Sequence, residues 1–225
     1  AAGYRPSDIA ATLDSFAPAL FRPGLPGKGL LSSVAMRRTL RRLGSDRRIE
    51  DLAVPLALVA ADIDLRREVV FRRGLVWLAV LASTAIPGVY PAQRVGPYTL
   101  VDGAVLNPVP SDVAAEMGAD AVIGVRLGTE SGPAVTHAEA IEAVGAVPSV
   151  FGVVRRSVDI MESRIGTLTA GASTVVITPQ CEEIPGSSLL RLRRFTEGRR
   201  YIAAGDAATE AALPRLATVL PWVAA

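Results

Sequence analysis

Histidine and cysteine are almost missing from this chain: 225 residues hold one of each, His137 and Cys181. Zinc sites built on paired histidines are therefore excluded, as is a His-Glu-x-x-His protease. A single cysteine also excludes an internal disulfide. Cys181 stands beside Glu182 and Glu183, whose charge disfavours a thiolate, so it is a poor nucleophile. His137 follows a polar stretch and has no patterned neighbours, which suits a loop histidine better than a member of a Ser-His-Asp triad. Aromatic residues make up 5% of the chain against 50% hydrophobic, so its core must be built from Ala, Val, Leu and Ile. Apolar runs such as Leu75 to Leu81 fall well short of a membrane span.

Three motifs are missing as well. No acidic loop has the spacing of calcium ligands. Gly27-Lys28 lacks the earlier glycine of a phosphate loop, and Gly29 follows where Ser or Thr should bind magnesium. No metal, cofactor or nucleotide is expected. Most telling, no Gly-x-Ser-x-Gly elbow occurs anywhere.

The net charge is only +2, but the arginines are clustered. Arg37, Arg38, Arg41, Arg42, Arg47 and Arg48 crowd one stretch, and Arg191, Arg193, Arg194, Arg199 and Arg200 another. Two readings stay open: a surface attracted to anionic lipid, or solvated helix faces with Asp46, Glu50 and Asp51 as partial counterions. Nucleic acid is not expected, because no aromatic residues interleave to stack bases.

Length and patterning predict one α/β domain. Ser7 is placed to cap a helix through Ala19, and prolines and glycines from Pro18 to Gly29 mark a connection before a helix over Leu31 to Leu43. Val54 to Ala61 reads as a strand buried on both faces. Arg67 to Phe71 reads as a hairpin or edge strand after a turn at Asp62 to Asp64. Leu75 to Ser83 reads as a helix, Tyr98 to Val101 as a strand, and Pro110 to Met117 as a helix stopped by Gly118. Ala121 to Leu127 and Ser173 to Thr178 are further strands; residues 137–166 carry a helical signal broken near Gly145 to Pro148, and Arg199 to Leu213 a final helix. Strands alternating with helices imply a mainly parallel sheet flanked by helices, with sites beyond the carboxyl ends of the strands.

Asp102 sits at such an end, in Leu100-Val101-Asp102-Gly103-Ala104. An Asp-Gly pair alone is usually a turn. Here a strand delivers the carboxylate into a sharp bend, a setting that suits a fixed general base. With no histidine to spare, a carboxylate acting directly on a serine hydroxyl fits the inventory. Ser83 ends a helix without an elbow, so its expected role is a hydroxyl that supports the neighbouring loop.

Arg47-Arg48-Ile49-Glu50-Asp51-Leu52, Ala82-Ser83-Thr84-Ala85-Ile86-Pro87-Gly88, Leu100 to Ala104 and Asn107-Pro108-Val109-Pro110, in that order, resemble the bacterial patatin-like phospholipases of the neuropathy target esterase-like branch. Asp112-Val113-Ala114, Gly118-Ala119-Asp120 and Phe195 to Arg200 extend the likeness over almost the whole chain. The resemblance implies a three-layer α/β/α fold and a serine acyl hydrolase with a Ser–Asp dyad, acting on phospholipid, lysophospholipid or related esters. It makes Asp102 the base, with Gly103, Ala104, Ser83 and Asn107 supporting the motif.

The family's first strand, glycine-rich oxyanion loop and serine elbow have no counterpart in this sequence. Ala1-Ala2-Gly3-Tyr4 reads as the last turn of a helix, so the expectation is a single domain over residues 1–225 that lacks its first strand and elbow. The isolated chain is expected to be inactive, poorly soluble and marginally stable. Its expected setting is cytoplasmic, peripheral at the inner membrane surface. The alternative reading is a non-catalytic remnant that binds lipid or a protein partner; a nucleotide-binding α/β protein ranks last, for want of a phosphate loop.

Overall fold

The computed structural model describes residues 8, 22–24, 29–44, 46–127, 149–180 and 198–220. The Ser7-to-Ala19 helix beyond Asp8, the 129–148 segment with His137, Cys181, and the arginines from Arg191 to Arg194 lie outside the described residues. The fold is mixed α/β, with helices against two sheets.

The larger sheet has four strands in the order β2-β1-β4-β3: β1 Leu58–Asp62, β2 Arg67–Phe71, β3 Gln93–Val95 and β4 Tyr98–Asp102. All three pairings are antiparallel, which corrects the expectation of a mainly parallel sheet. For two of the three pairs the reason is connection length. β1 and β2 are joined by only Ile63 to Arg66, and β3 and β4 by Gly96 and Pro97, whereas a parallel pair needs a crossover of a dozen residues or more. Asp62 Oδ1 accepts the Asp64 N–H at 3.2 Å, the side-chain turn that makes Asp useful at such a corner. Gly96, at φ 57°, supplies the positive φ that a two-residue hairpin turn requires.

β1 is one of the two interior strands and is buried on both faces, as expected, but it starts at Leu58 rather than at Val54. Residues paired across the ladders project to the same face, so Ala60, Asp62, Leu100 and Asp102 share one side of the sheet. Helix α1 spans Ser33–Gly44 and α2 Val76–Ser83. α2 lies over that side, and Ala60, Ala82 and Leu100 meet there with no exposure at all, flanked by Val69, Phe71, Val95 and Tyr98. Small alanines at the contact let helix and sheet approach closely. This is the alanine-rich core that the low aromatic content implied.

α2 is anchored at its start. Glu50, in the turn Ile49–Asp51, accepts the Gly74 N–H and the Arg48 Nε–H, each at 2.8 Å. Its own backbone N–H, then the Gly74 N–H and Arg48, hold the Glu50 carboxyl down at about 2.

After β4 the chain makes a 3-10 turn over Gly103–Val105, then helix α3, Ser111–Glu116, stopped by Gly118 at φ 88°. β5 (Ile123–Val125) and β6 (Val175–Ile177) form a separate two-stranded parallel sheet. Helix α4, Val150–Thr169, is capped by Ser149 Oγ, which accepts the Gly152 N–H at 3.2 Å. Helix α5, Gly198–Val219, covers β6 through Ala212 and Leu216. The 121–127 run forms a shorter and less buried strand than its composition predicted, since Ile123, Val125 and Leu127 are exposed and only Val122 and Gly124 are buried.

Candidate active site

Asp102 is placed by three elements at once. Strand β4 ends on it and pairs it with Ala60 of β1. Its backbone N–H donates to the Ala85 carbonyl at 3.0 Å, joining it to the loop after α2. Its side chain turns into the bend, where Oδ1 accepts the Ala104 N–H at 2.9 Å. That bond fixes the carboxyl group and leaves Oδ2 with no hydrogen-bond partner among the described residues. The acid is half-buried, not displayed to bulk solvent.

Gly103 is required by the crowding beneath it. A Cβ at that position would lie 2.3 Å from the Val59 carbonyl oxygen, a contact with backbone that cannot move aside. The Asp-Gly pair is therefore more than a turn signal: glycine lets the chain after Asp102 press against β1. Ala104 contributes its N–H, and its small side chain is half-buried.

Asn107 closes the bend. Its N–H donates to the Gly103 carbonyl at 2.8 Å. Its buried side chain donates from Nδ2 to Asp112 Oδ1 at 2.9 Å and to Glu68 Oε2 at 3.1 Å. One amide thus ties the 103–107 turn to α3 and to β2. Ser83 is the last residue of α2, two positions before Ala85. The structure therefore gathers Asp102, Gly103, Ala104 and Asn107 into one bend, with Ser83 at the end of the helix that leads into the flanking loop. Asp62, by contrast, is buried in a plain turn role at the other end of β1.

Sequence reasoning missed the charged groups opposite. α4 packs on the 103–105 turn and brings Arg155 toward Asp102. Arg155 Nη2 pairs with Asp159 and, at 3.5 Å, with Glu162; its Nη1 is buried without a partner among the described residues. Burial pushes the Asp102 carboxyl above the usual range, opposed by the Ala104 N–H and the positive charge of Arg155. Glu162 is pushed upward too, first by its own burial, then by the charges of Asp102 and Asp159 against that of Arg155. The i, i+4, i+7 spacing of Arg155, Asp159 and Glu162 was a signal that they share a helix face; nothing in it showed which partner that face meets. An open groove of about 560 Å³ between β6 and α5, lined by Arg126, Ala208 and Arg215 among others, contains no residue of the Asp102 bend. Among the described residues no cluster of acidic, His or Cys side chains is built to hold a metal.

The chain belongs to the patatin-like phospholipases: the family's sequence model matches residues 3–115. The match ends within α3, short of the Gly118 and Phe195 segments to which the resemblance was extended.

Similar proteins fall in the same group. An uncharacterized NTE family protein of Mycobacterium tuberculosis is 36% identical over 116 residues, covering 51% of this chain and 32% of that protein. Patatin-like phospholipase domain-containing protein 6 of Homo sapiens is 32% identical over 107 residues, 47% of this chain and 8% of the relative. The domain-containing protein 7 of Rattus norvegicus is 30% identical over 114 residues, 50% and 8% respectively. The matched stretch thus spans at most 32% of these relatives.

Proposed function

We propose that this chain supplies the basic half of a serine lipid acyl hydrolase, with Asp102 as general base and the nucleophilic hydroxyl provided by polypeptide outside these 225 residues. Its substrates are phospholipid, lysophospholipid or related esters, met in the cytoplasm at the inner membrane surface. The observation that carries the reading is the state of Asp102: one oxygen locked by the Ala104 N–H, the other without a partner among the described residues, in a half-buried bend. Family membership supports the lipid class, and the absence of a Gly-x-Ser-x-Gly segment supports an external nucleophile.

In the proposed reaction, Asp102 Oδ2 takes the serine Oγ proton as Oγ attacks the ester carbonyl. The protonated aspartic acid then returns that proton to the leaving alcohol as the acyl–oxygen bond breaks. A water molecule enters and gives a proton to Asp102 as its oxygen attacks the acyl carbonyl; Asp102 then returns that proton to serine Oγ as the Oγ–acyl bond breaks and the fatty acid leaves. Partial burial suits this role, because a desolvated carboxylate with a raised pKa is a better base. The Ala104 N–H and the positive charge of Arg155 oppose that rise. Ser83 and Asn107 act as supports of the bend, with no part in proton transfer.

Alone, the chain is expected to lack esterase activity, since without a nucleophile there is no acyl-enzyme. The test uses the protein completed with its upstream polypeptide, comparing lysophospholipid hydrolysis by the parent and by Asp102→Asn. A loss on the order of 10³-fold is expected, within the range for a general base. Equal rates would remove Asp102 from the mechanism. A completed protein with no serine elbow and no turnover would favour the lipid- or partner-binding remnant.

A further inference from the structure

Helix α1 has two unlike sides. Ser33, Met36, Leu40 and Leu43 are buried or half-buried, while Val34, Arg37, Arg38, Arg41 and Arg42 are exposed. At 100° per residue the five exposed positions fall within one outward sector. No Asp or Glu occurs between Ser33 and Gly44. Among the described residues Arg37, Arg38 and Arg42 have no salt-bridge partner, whereas nearby Arg48 is held by Glu50. Arg41 lies 5.2 Å over the Trp77 ring, which pins α1 to α2 without cancelling the charge. At the start of the helix, Leu30 and Val34 are 41% and 46% exposed.

The inner side of α1 rests on the loop that borders Asp102. Met36 packs against Leu31, Val89 and Tyr90, and its Sδ accepts the Thr84 hydroxyl at 3.6 Å. Thr84 is next to Ala85, whose carbonyl receives the Asp102 N–H. The helix that carries the basic face thus touches the loop to which Asp102 is bonded.

We infer that the outward face of α1 docks the protein on a bilayer surface containing anionic lipid. The inference rests on the lipid-ester reading above only for its biological sense; the binding itself needs no catalysis. Unneutralised arginines attract an anionic surface by about fivefold in affinity each. Exposed Leu30 and Val34 at the edge of the basic sector suit the boundary between head groups and acyl chains. A nucleic acid is the poorer fit, because the face carries no aromatic side chain to stack a base.

The test is co-sedimentation of the 225-residue chain with phosphatidylcholine vesicles, with and without phosphatidylglycerol. Binding only to the anionic vesicles, weakened by added salt, is expected. Arg37→Gln/Arg38→Gln/Arg42→Gln should lower affinity on the order of 100-fold. Arg73→Gln/Arg156→Gln/Arg164→Gln removes the same charge from other exposed positions and should change it by less than about threefold. Circular dichroism and melting curves of both variants should match the parent, since none of the six arginines has a salt bridge among the described residues. Equal weakening by the two sets, no binding at all, or tighter binding to a DNA duplex than to the vesicles would overturn the inference. Asp102→Asn should bind vesicles like the parent, so loss of hydrolysis and loss of docking are separable results.

Discussion

The two halves of this molecule are built to different tolerances. In β1 to β4 and the 103–107 bend, alanines and glycines set the spacing, Ala60, Ala82 and Leu100 have no exposure, and backbone presses on backbone at Gly103. In the half made of β5, β6, α4 and α5, the sheet has two short strands, and Val125, Val150 and Leu168 are exposed by 51%, 82% and 78%. The family match covers the first half and stops at residue 115. The lesson is that the candidate chemistry sits where the packing leaves no alternative residue, while the second half contributes a cover and, through Arg155, an electrostatic setting.

That contrast can be broken most sharply at glycine. Gly103→Ala should destabilise the chain by about 3 kcal/mol, because the new Cβ meets the Val59 carbonyl and neither strand can yield. Urea unfolding measures it; a neutral result would mean the bend is looser than described. A smaller loss, about 2 kcal/mol, is expected for Asn107→Leu, which removes hydrogen bonds to two carboxylates and leaves Glu68 and Asp112 without their shared donor. An unchanged urea midpoint would show that those bonds do not hold the bend.

Smaller still is the effect of Asp102→Asn on stability, and its sign is opposite. A carboxyl whose pKa is raised on folding contributes stability that is full below its unfolded pKa and is lost as pH rises through the folded value. Above the folded value the parent therefore carries a half-buried charge that the amide does not. The variant should melt at or above the parent at pH 7, with the gap closing as pH falls into the range where the aspartic acid is protonated. A variant that melts well below the parent at pH 7 would contradict the burial argument. At the other end of the molecule, Gly205→Ala in α5 has open space for its Cβ and should stabilise by about 0.5–1 kcal/mol. Destabilisation there would erase the difference between the halves.

How much of this was legible in the sequence follows the same division. Leu100 to Ala104 announced both a strand and the bend that ends it, because the signals are local: an apolar run, then Asp, then a glycine. The helix from Leu75 to Ser83 and the stop at Gly118 were legible for the same reason. The sheet's direction was not. Helices between strands suggested parallel crossovers, but the two short links, Ile63 to Arg66 and Gly96-Pro97, decided for hairpins. Asn107 was visible only as part of a motif; its bond to Glu68 spans 39 positions, and no local pattern encodes it. Arg155 was hidden similarly, since a charge on a helix face reads as solvated until the packing shows what lies across from it. The run from Ala121 to Leu127 misled because apolar composition does not say which face of a strand is covered.

The central claim is that Asp102 is the base, and the pH dependence of kcat/KM for ester hydrolysis by the upstream-completed enzyme tests it most directly. Activity should rise with pH along an acid limb whose midpoint lies above the ordinary aspartate range. Arg155→Met should move that limb higher still, by removing the positive charge that opposes it. An acid limb at or below the ordinary carboxylate value, unmoved by Arg155→Met, would contradict the account.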